Sequence, residues 1–229
     1  MKKRSRASTI ETPKATLMKV GILGSGVVAQ SLALGFIKHG HEVMLGTTSP
    51  SKLKEFQDKN PKAKIGTFGE TARFGQAVVL AVKGAAAEGI VGTVANDLAG
   101  KTVIDTTNPI STTEPPVNGA IRYFTSMNES LMERLQKIAP QANFVKCFNS
   151  VGNGFYVNPQ FAGGPPTMFI CGNNDGAKKE VKGILDQFGW ETADMGKVES
   201  AGSIEALCIL WCVPGLSGGS WTHAFKLLK

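Results

Sequence analysis

Short apolar runs alternate along this chain with stretches whose apolar residues recur every three to four positions, and the alternation persists from residue 17 to residue 148. Apolar runs of four to eight residues bounded by Gly or Asn read as strands, and the longer period reads as helix. Strands are predicted at 17–23, 42–46, 64–68, 77–82, 102–105 and 143–148. Helices are predicted at 26–38, 51–59, 70–74, 85–98 and 127–138, the last with Ser126 or Asn128 as its cap. The run Ala77-Val-Val-Leu-Ala-Val82 has no polar position, which marks a strand covered on both faces. Strand and helix in strict alternation imply an α/β fold, a doubly wound parallel sheet with helices on each side. A Gly-, Pro- and Asn-rich stretch at 152–166 precedes a second region, with strands at 167–171 and 191–195 around a helix at 175–188. An apolar helix at 200–211 follows, with Pro214 just past its expected end. The predicted organisation is an arm at 1–16, a dinucleotide-binding domain at 17–152, and a small α/β extension at 153–229 for substrate binding or dimerisation.

Sheets of this kind bind ligands beyond the carboxyl ends of their strands. The loops there are 24–26, 46–49, 82–85, 106–109 and 148–152, and all contain small or polar residues. The first follows Met18-Lys-Val-Gly-Ile-Leu-Gly-Ser-Gly-Val-Val-Ala29, where a strand, a glycine turn and a helix start adjoin. A helix start offers unpaired N–H groups and a positive dipole end, which suit a pyrophosphate. The spacing Gly24-x-Gly26-x-x-Ala29 fits the NAD(P)-binding Rossmann fingerprint, so Gly24, Ser25, Gly26, Val27 and Val28 are candidate cofactor contacts. Read blandly, the same glycines make a structural turn; their place after a strand and before a helix favours the site.

The end of the second strand selects the dinucleotide. A carboxylate there would hold a ribose 2′-hydroxyl, but the chain reads Gly46-Thr47-Thr48-Ser49-Pro50 with Lys52 beyond. Thr47, Thr48, Ser49 and Lys52 can donate to a 2′-phosphate, so NADP(H) is expected over NAD(H). The same residues also cap the helix that follows. Val82 and Lys83 end a central strand where pyrophosphate and ribose should lie. Asn108, Pro109 and Asn149 sit at strand ends where side-chain amides would meet the nicotinamide carboxamide, although Asn and Pro also make turns there.

Of 229 residues, 42% are hydrophobic, and no apolar stretch reaches the roughly 20 residues needed to cross a bilayer. The formal net charge is +7, and five cationic residues against the one acidic Glu11 before residue 16 carry more than half of it. No aromatic residue interleaves with those charges, so the arm reads as a solvated tail, with neither nucleic acid nor membrane as partner. Cys147, Cys171, Cys208 and Cys212 lack zinc-type spacing and read as buried thiols in a reducing cytoplasm. Cys208 and Cys212, four apart, share a helix face. His39, His41 and His223 read as structural or solvated. No metal site and no catalytic acid–base residue is predicted.

Five segments together resemble the F-420-dependent NADP oxidoreductases, whose domain also occurs in ferric reductases of the STEAP type. They are 20–29, Gly40-His-Glu-Val-Met-Leu-Gly-Thr-Thr-Ser-Pro50, Val103-Ile-Asp-Thr-Thr-Asn-Pro109, Val145-Lys-Cys-Phe-Asn-Ser-Val-Gly152, and 169–178 with 185–190. The resemblance implies NADP on the glycine loop, its 2′-phosphate near residues 47–49, and its nicotinamide near Asn108-Pro109 and 148–150. It also implies that a deazaflavin stacks on the nicotinamide from the C-terminal side. Hydride would pass directly between ring carbons, which asks the protein for orientation and a dry pocket rather than acid–base help. Where the family commonly carries an arginine, this chain has Thr48, which leaves Lys52 as the cation and implies a softer NADP preference.

Two other readings stay open. One is an NADPH-dependent reductase of a small carbonyl or imine, for which Tyr123, Ser126 and Lys146 are the nearest proton donors. The other is a regulatory protein that binds NADP without turnover. A homodimer through the apolar helix at 204–211 and the aromatic tail is also expected.

Overall fold

A computed structural model describes residues 17–126 and 128–229. The basic arm and Met127 lie outside the described residues. Six strands form one parallel sheet: β1 (Lys19–Leu23), β2 (Glu42–Gly46), β3 (Ala63–Gly66), β4 (Ala77–Leu80), β5 (Thr102–Asp105) and β6 (Asn143–Lys146), in the order β3-β2-β1-β4-β5-β6. The crossovers carry α1 (Val27–Lys38), α2 (Lys54–Lys59), α3 (Phe68–Phe74), α4 (Gly84–Val94) and α5 (Leu131–Ile138). This is the doubly wound parallel fold that the alternation predicts. β4 is buried along its whole length, as an all-apolar run between two helical layers requires.

Beyond β6, β7 (Thr167–Ile170) and β8 (Glu191–Asp194) form a parallel pair around α6 (Asp175–Phe188). The pair abuts the main sheet where Lys146 N donates to Cys171 O at 3.0 Å. Val181, Leu185 and Phe188 of α6 share a core with Phe36, Phe148 and the residues of β1 and β2, so apolar packing runs continuously into the extension.

Of the helix boundaries that differ from expectation, two have a clear local cause. The helix predicted at 127–138 starts at Leu131, because Ser130 and Glu133 form a reciprocal capping box there. Ser126 instead holds the N–H of Asn128 in the preceding turn. The helix predicted at 200–211 runs as α7 (Ala201–Leu216), with Pro214 inside it. Proline removes one intrahelical bond, and in the last turn the loss is small because Ser217 N and Gly219 N still close on Val213 O and Pro214 O. With the turn before it, the helical stretch Val198–Leu216 spans 19 residues and is long and apolar enough to cross a bilayer by length and composition only. Its Ala201, Ile204, Glu205, Cys208, Trp211 and Cys212 are buried against the protein.

Candidate active site

The carboxyl ends of β1, β4 and β5 open into one cleft of about 460 Å³. It lies at the topological switch point, where successive crossovers leave β1 in opposite directions. Gly26, Val27 and Val28 line one side, residues 81–85 the floor, and residues 106–108 and 110–112 the other side.

The glycines of the first loop differ in purpose. Gly24 has φ +145°, and a Cβ there would sit 2.2 Å from Ala81 O; this glycine lets two strand ends approach. Ala29, fully buried, is the small residue over which the loop closes on α1. At Gly26 a Cβ would meet nothing within 4 Å, so packing does not demand glycine there. The open volume faces the start of α1, where no side chain caps the helix, no acidic residue occupies the first turn, and Val27 is 62% exposed. α4 also begins at the cleft, behind Lys83, without a side-chain cap. By contrast α3, α5 and α6 are capped by Thr67, Ser130 and Asn174. Two uncapped helix starts converging on one cleft leave backbone N–H groups for an anion, and among the described residues the one cation lining the cleft, Lys83, stands between them. These residues fit a pyrophosphate-bearing dinucleotide.

Thr47, Thr48, Ser49 and Lys52 do not line the cleft; they extend from the end of β2 on its flank. Thr47 is buried, and its hydroxyl accepts from Ser49 N at 3.0 Å, which fixes the turn. Thr48 and Lys52 are exposed, and Lys52 borders a shallow hollow shared with Gln30 of α1. Gln30 ties back to the glycine loop through its Nε2, 2.9 Å from Ser25 O.

On the opposite side, Asn108 lines the cleft while Pro109 and Asn149 are buried behind it. The side-chain amide nitrogens of Asn108 and Asn149 are committed within the protein, and Asn149 Oδ1 is buried without a partner among the described residues. Asn108 Nδ2 donates to Asn149 O at 2.8 Å, and Asn149 Nδ2 donates to Ile204 O at 2.8 Å and Asn108 Oδ1 at 3.2 Å. Phe148, beside them, holds φ +59° while fully packed, an uncommon backbone state for a bulky residue. From Pro109 the chain runs out and back as an irregular hairpin bridged at Ile110–Tyr123 and Val117–Ala120. Its tip, Gly119, packs so closely on Ser217 that a Cβ would clash.

None of the three proton-donor candidates reaches the cleft. Ser126 lies in the exposed turn before α5. The Tyr123 hydroxyl donates to Glu205 O at 2.7 Å, and burial, with neighbouring Cys208 and Glu205, holds its pKa far above the ordinary phenol value. Lys146 is wholly buried between Asp105 (2.7 Å) and Glu205 (2.8 Å). Burial acts to lower its pKa, but the two carboxylates, Asp105 first, outweigh that and keep it above the ordinary lysine value. This ion cluster has a sequence signal: Lys146, Asp105 and Glu205 are each the single charge in an otherwise uncharged strand or helix, and buried charges need partners. Cys208 and Cys212 share a face of α7 with sulfurs 4.0 Å apart, and all four cysteines are free and buried. Among the described residues no group of His, Cys, Asp and Glu is arranged to hold a metal.

Residues 19–109 match the family described as NADP oxidoreductase, coenzyme F420-dependent. A protein from Arthrobacter sp. FB24, provisionally assigned as an F420-dependent NADP-reductase, superposes with a TM-score of 0.86 at 28% identity, over 93% of this chain and 100% of that one. The chain carries the fold of the F420-dependent NADP oxidoreductases. Its glycine loop and cleft have the form of a Rossmann-type NAD(P)-binding site. The metalloreductase STEAP3 of Rattus norvegicus is 29% identical over 216 residues, which is 93% of this chain and 41% of that protein. Human metalloreductase STEAP2 is 27% identical over 84% of this chain and 36% of its own length. The chain thus spans well under half of these curated relatives. An imine reductase of Streptomyces aurantiacus, at 14% identity and a TM-score of 0.64 over 87% of this chain and 63% of that one, shares the fold. The segment matching the oxidoreductase family contains the glycine loop, Thr47 to Lys52, Lys83 and Asn108, and ends before Tyr123, Lys146 and Glu205.

Proposed function

We propose that this protein binds NADP(H) across the cleft and transfers a hydride between it and a flavin-type acceptor, coenzyme F-420 or a flavin. The observation that carries the reading is the open space at Gly26 between the uncapped starts of α1 and α4. The pyrophosphate would take N–H groups of Gly26, Val27 and Val28, with Ser25 and Gly24 shaping the loop and Lys83 adding charge. The adenosine 2′-phosphate would lie toward Thr47, Thr48, Ser49 and Lys52. The nicotinamide would then extend to the β5 side, beside Val82 and Asn108, with Pro109 and Asn149 fixing Asn108 from behind. NADPH supplies the hydride when bound. The protein supplies orientation and a wall of Val82, Ile110 and Val27 that keeps water from the ring face.

The flavin-type acceptor is favoured over a carbonyl or imine because Tyr123, Ser126 and Lys146 all lie outside the cleft. Ring-to-ring hydride transfer needs no protein acid there. The extension at 153–229 would complete the acceptor side. The exposed Leu210, Leu216 and Trp221 would serve a homodimer in the cytoplasm. The test is NADPH oxidation by purified protein with oxidised F-420, beside a parallel reaction with FMN. Turnover with F-420 alone establishes a deazaflavin reductase, and turnover with FMN alone a flavin reductase. Saturable NADPH binding without turnover in either reaction would leave the regulatory reading standing instead.

A further inference from the structure

We propose that Glu205, Lys146 and Asp105 are positioning residues for the nicotinamide end of the cleft, acting through Thr107 and Asn108. The inference rests on the reading that a dinucleotide occupies the cleft, and two of its three residues, Lys146 and Glu205, lie outside the segment shared with the oxidoreductase family.

Thr107 lines the cleft and is held at every polar atom. Its N–H and hydroxyl both donate to Asp105 Oδ1, at 2.9 and 2.7 Å, and its carbonyl accepts from Lys146 Nζ at 3.0 Å. The Lys146 ammonium has three hydrogens, and Asp105, Glu205 and Thr107 O take all three. Glu205 in turn accepts from the first N–H groups of α5, Leu131 N at 3.1 Å and Met132 N at 3.2 Å. A carboxylate at a helix start is held by the dipole as well as by the bonds. One turn of α7 thereby fixes Thr107 through two buried side chains.

The same turn fixes Asn108. Asn149 Nδ2 and the Tyr123 hydroxyl, which both approach Asn108 Oδ1, are themselves anchored on the backbone oxygens of Ile204 and Glu205. The loop also abuts the start of α4, where a Cβ on Gly84 would sit 2.0 Å from Asn108 O. A small shift of Thr107 and Asn108 therefore alters the far side of the cleft, while the start of α1 on the near side is set by the glycine loop alone.

Stability alone is a poor explanation for this cluster. Well-packed apolar side chains commonly equal or exceed a buried ion group in stability. What the charges add is direction: every side-chain bond that leaves the cluster ends on the loop that lines the cleft or on the helix start that orients Glu205.

The test uses Glu205→Gln in the full chain, which keeps the side chain's shape but places an N–H₂ donor against either Lys146 or the α5 N–H groups. Calorimetric titrations compare NADPH with adenosine 2′,5′-bisphosphate, which lacks the nicotinamide half. The expected result is bisphosphate affinity within two-fold of wild type and NADPH affinity at least ten-fold weaker. Equal losses for both ligands, or no loss for either, would overturn the positioning role. If near-ultraviolet circular dichroism shows Glu205→Gln unfolded, Thr107→Val replaces it. That variant removes one bond to Asp105, and a loss of about three-fold confined to NADPH is expected. Wild-type protein that binds NADPH but reduces no acceptor overturns the hydride reading and leaves this binding split intact. Wild-type protein that binds neither ligand overturns the reading of the cleft itself.

Discussion

On the β1 side of the cleft every shaping contact is local or made by backbone: a glycine turn, an uncapped helix and the close approach of Gly24 to Ala81 O. On the β5 side the loop at 106–108 owes its position to side chains 39 to 82 positions apart that pair from β6, the hairpin and α7. The first side presents N–H groups and empty space, so it can be completed by a ligand's phosphates. The second has its amide nitrogens and charges spent on one another, with Asn149 Oδ1 left buried and unpartnered among the described residues. A dinucleotide laid across both would meet a receptive end and a rigid end, which suits a reaction that demands a fixed ring at one position.

The largest effect should come from breaking the rigid side. Lys146→Met leaves Asp105 and Glu205 buried without a cation, and should cost about 3–5 kcal/mol of stability in urea titrations. A loss below about 1 kcal/mol would mean that the carboxylates find other partners.

Next comes a pair of glycines on the receptive side. Gly24→Ala should destabilise the fold by about 1–3 kcal/mol through its positive φ alone, before its clash with Ala81 O. Gly26→Ala should leave the melting temperature unchanged, since its Cβ enters open space, yet weaken NADPH at least ten-fold, about 1.4 kcal/mol. If Gly26→Ala bound NADPH as wild type does, the space at Gly26 would not be the phosphate site.

Alkaline pH should loosen the rigid side gradually. Burial pushes the Cys171 thiol up to about 12, so the unfolded chain ionises first and stability falls as pH rises from about 9. The Lys146 ammonium, held above its ordinary value of 10.5, contributes stability fully below that value and loses it as pH rises through the folded one. Urea midpoints should therefore decline from about pH 9 to 12, and the upper part of the decline should flatten in Lys146→Met. A midpoint constant across that range would contradict the buried ion cluster.

The smallest effect is at the flank. Lys52→Ala should weaken NADPH by roughly three- to ten-fold while leaving NADH unchanged, because one exposed charge is screened by solvent. Equal weakening of both would remove Lys52 from the 2′-phosphate site.

The two sides also differ in how far sequence reveals them. Periodicity locates the strands and helices of the receptive side because each is specified by its own residues. β2 has the expected bounds, as does α6 in the extension. Gly24 and Gly26 look alike in the sequence, and only the packing shows that one serves the fold while the other faces open space. The rigid side escapes periodicity. Glu205 inside an apolar helix and Lys146 at the end of an apolar strand reveal their roles only when β5, β6, α5 and α7 meet. The start of α5 at Leu131 and the continuation of α7 past Pro214 are likewise set by caps and closing bonds that a hydrophobic pattern does not register.

The most direct test of the account is a single turnover with NADPH carrying deuterium at nicotinamide C4, mixed with oxidised F-420 and followed by proton magnetic resonance. The account predicts that deuterium from one face of the nicotinamide appears on the ring carbon of the reduced deazaflavin, with none in the water. Deuterium released to solvent, or retained on NADPH with F-420 still oxidised, would contradict hydride transfer to a deazaflavin in this cleft.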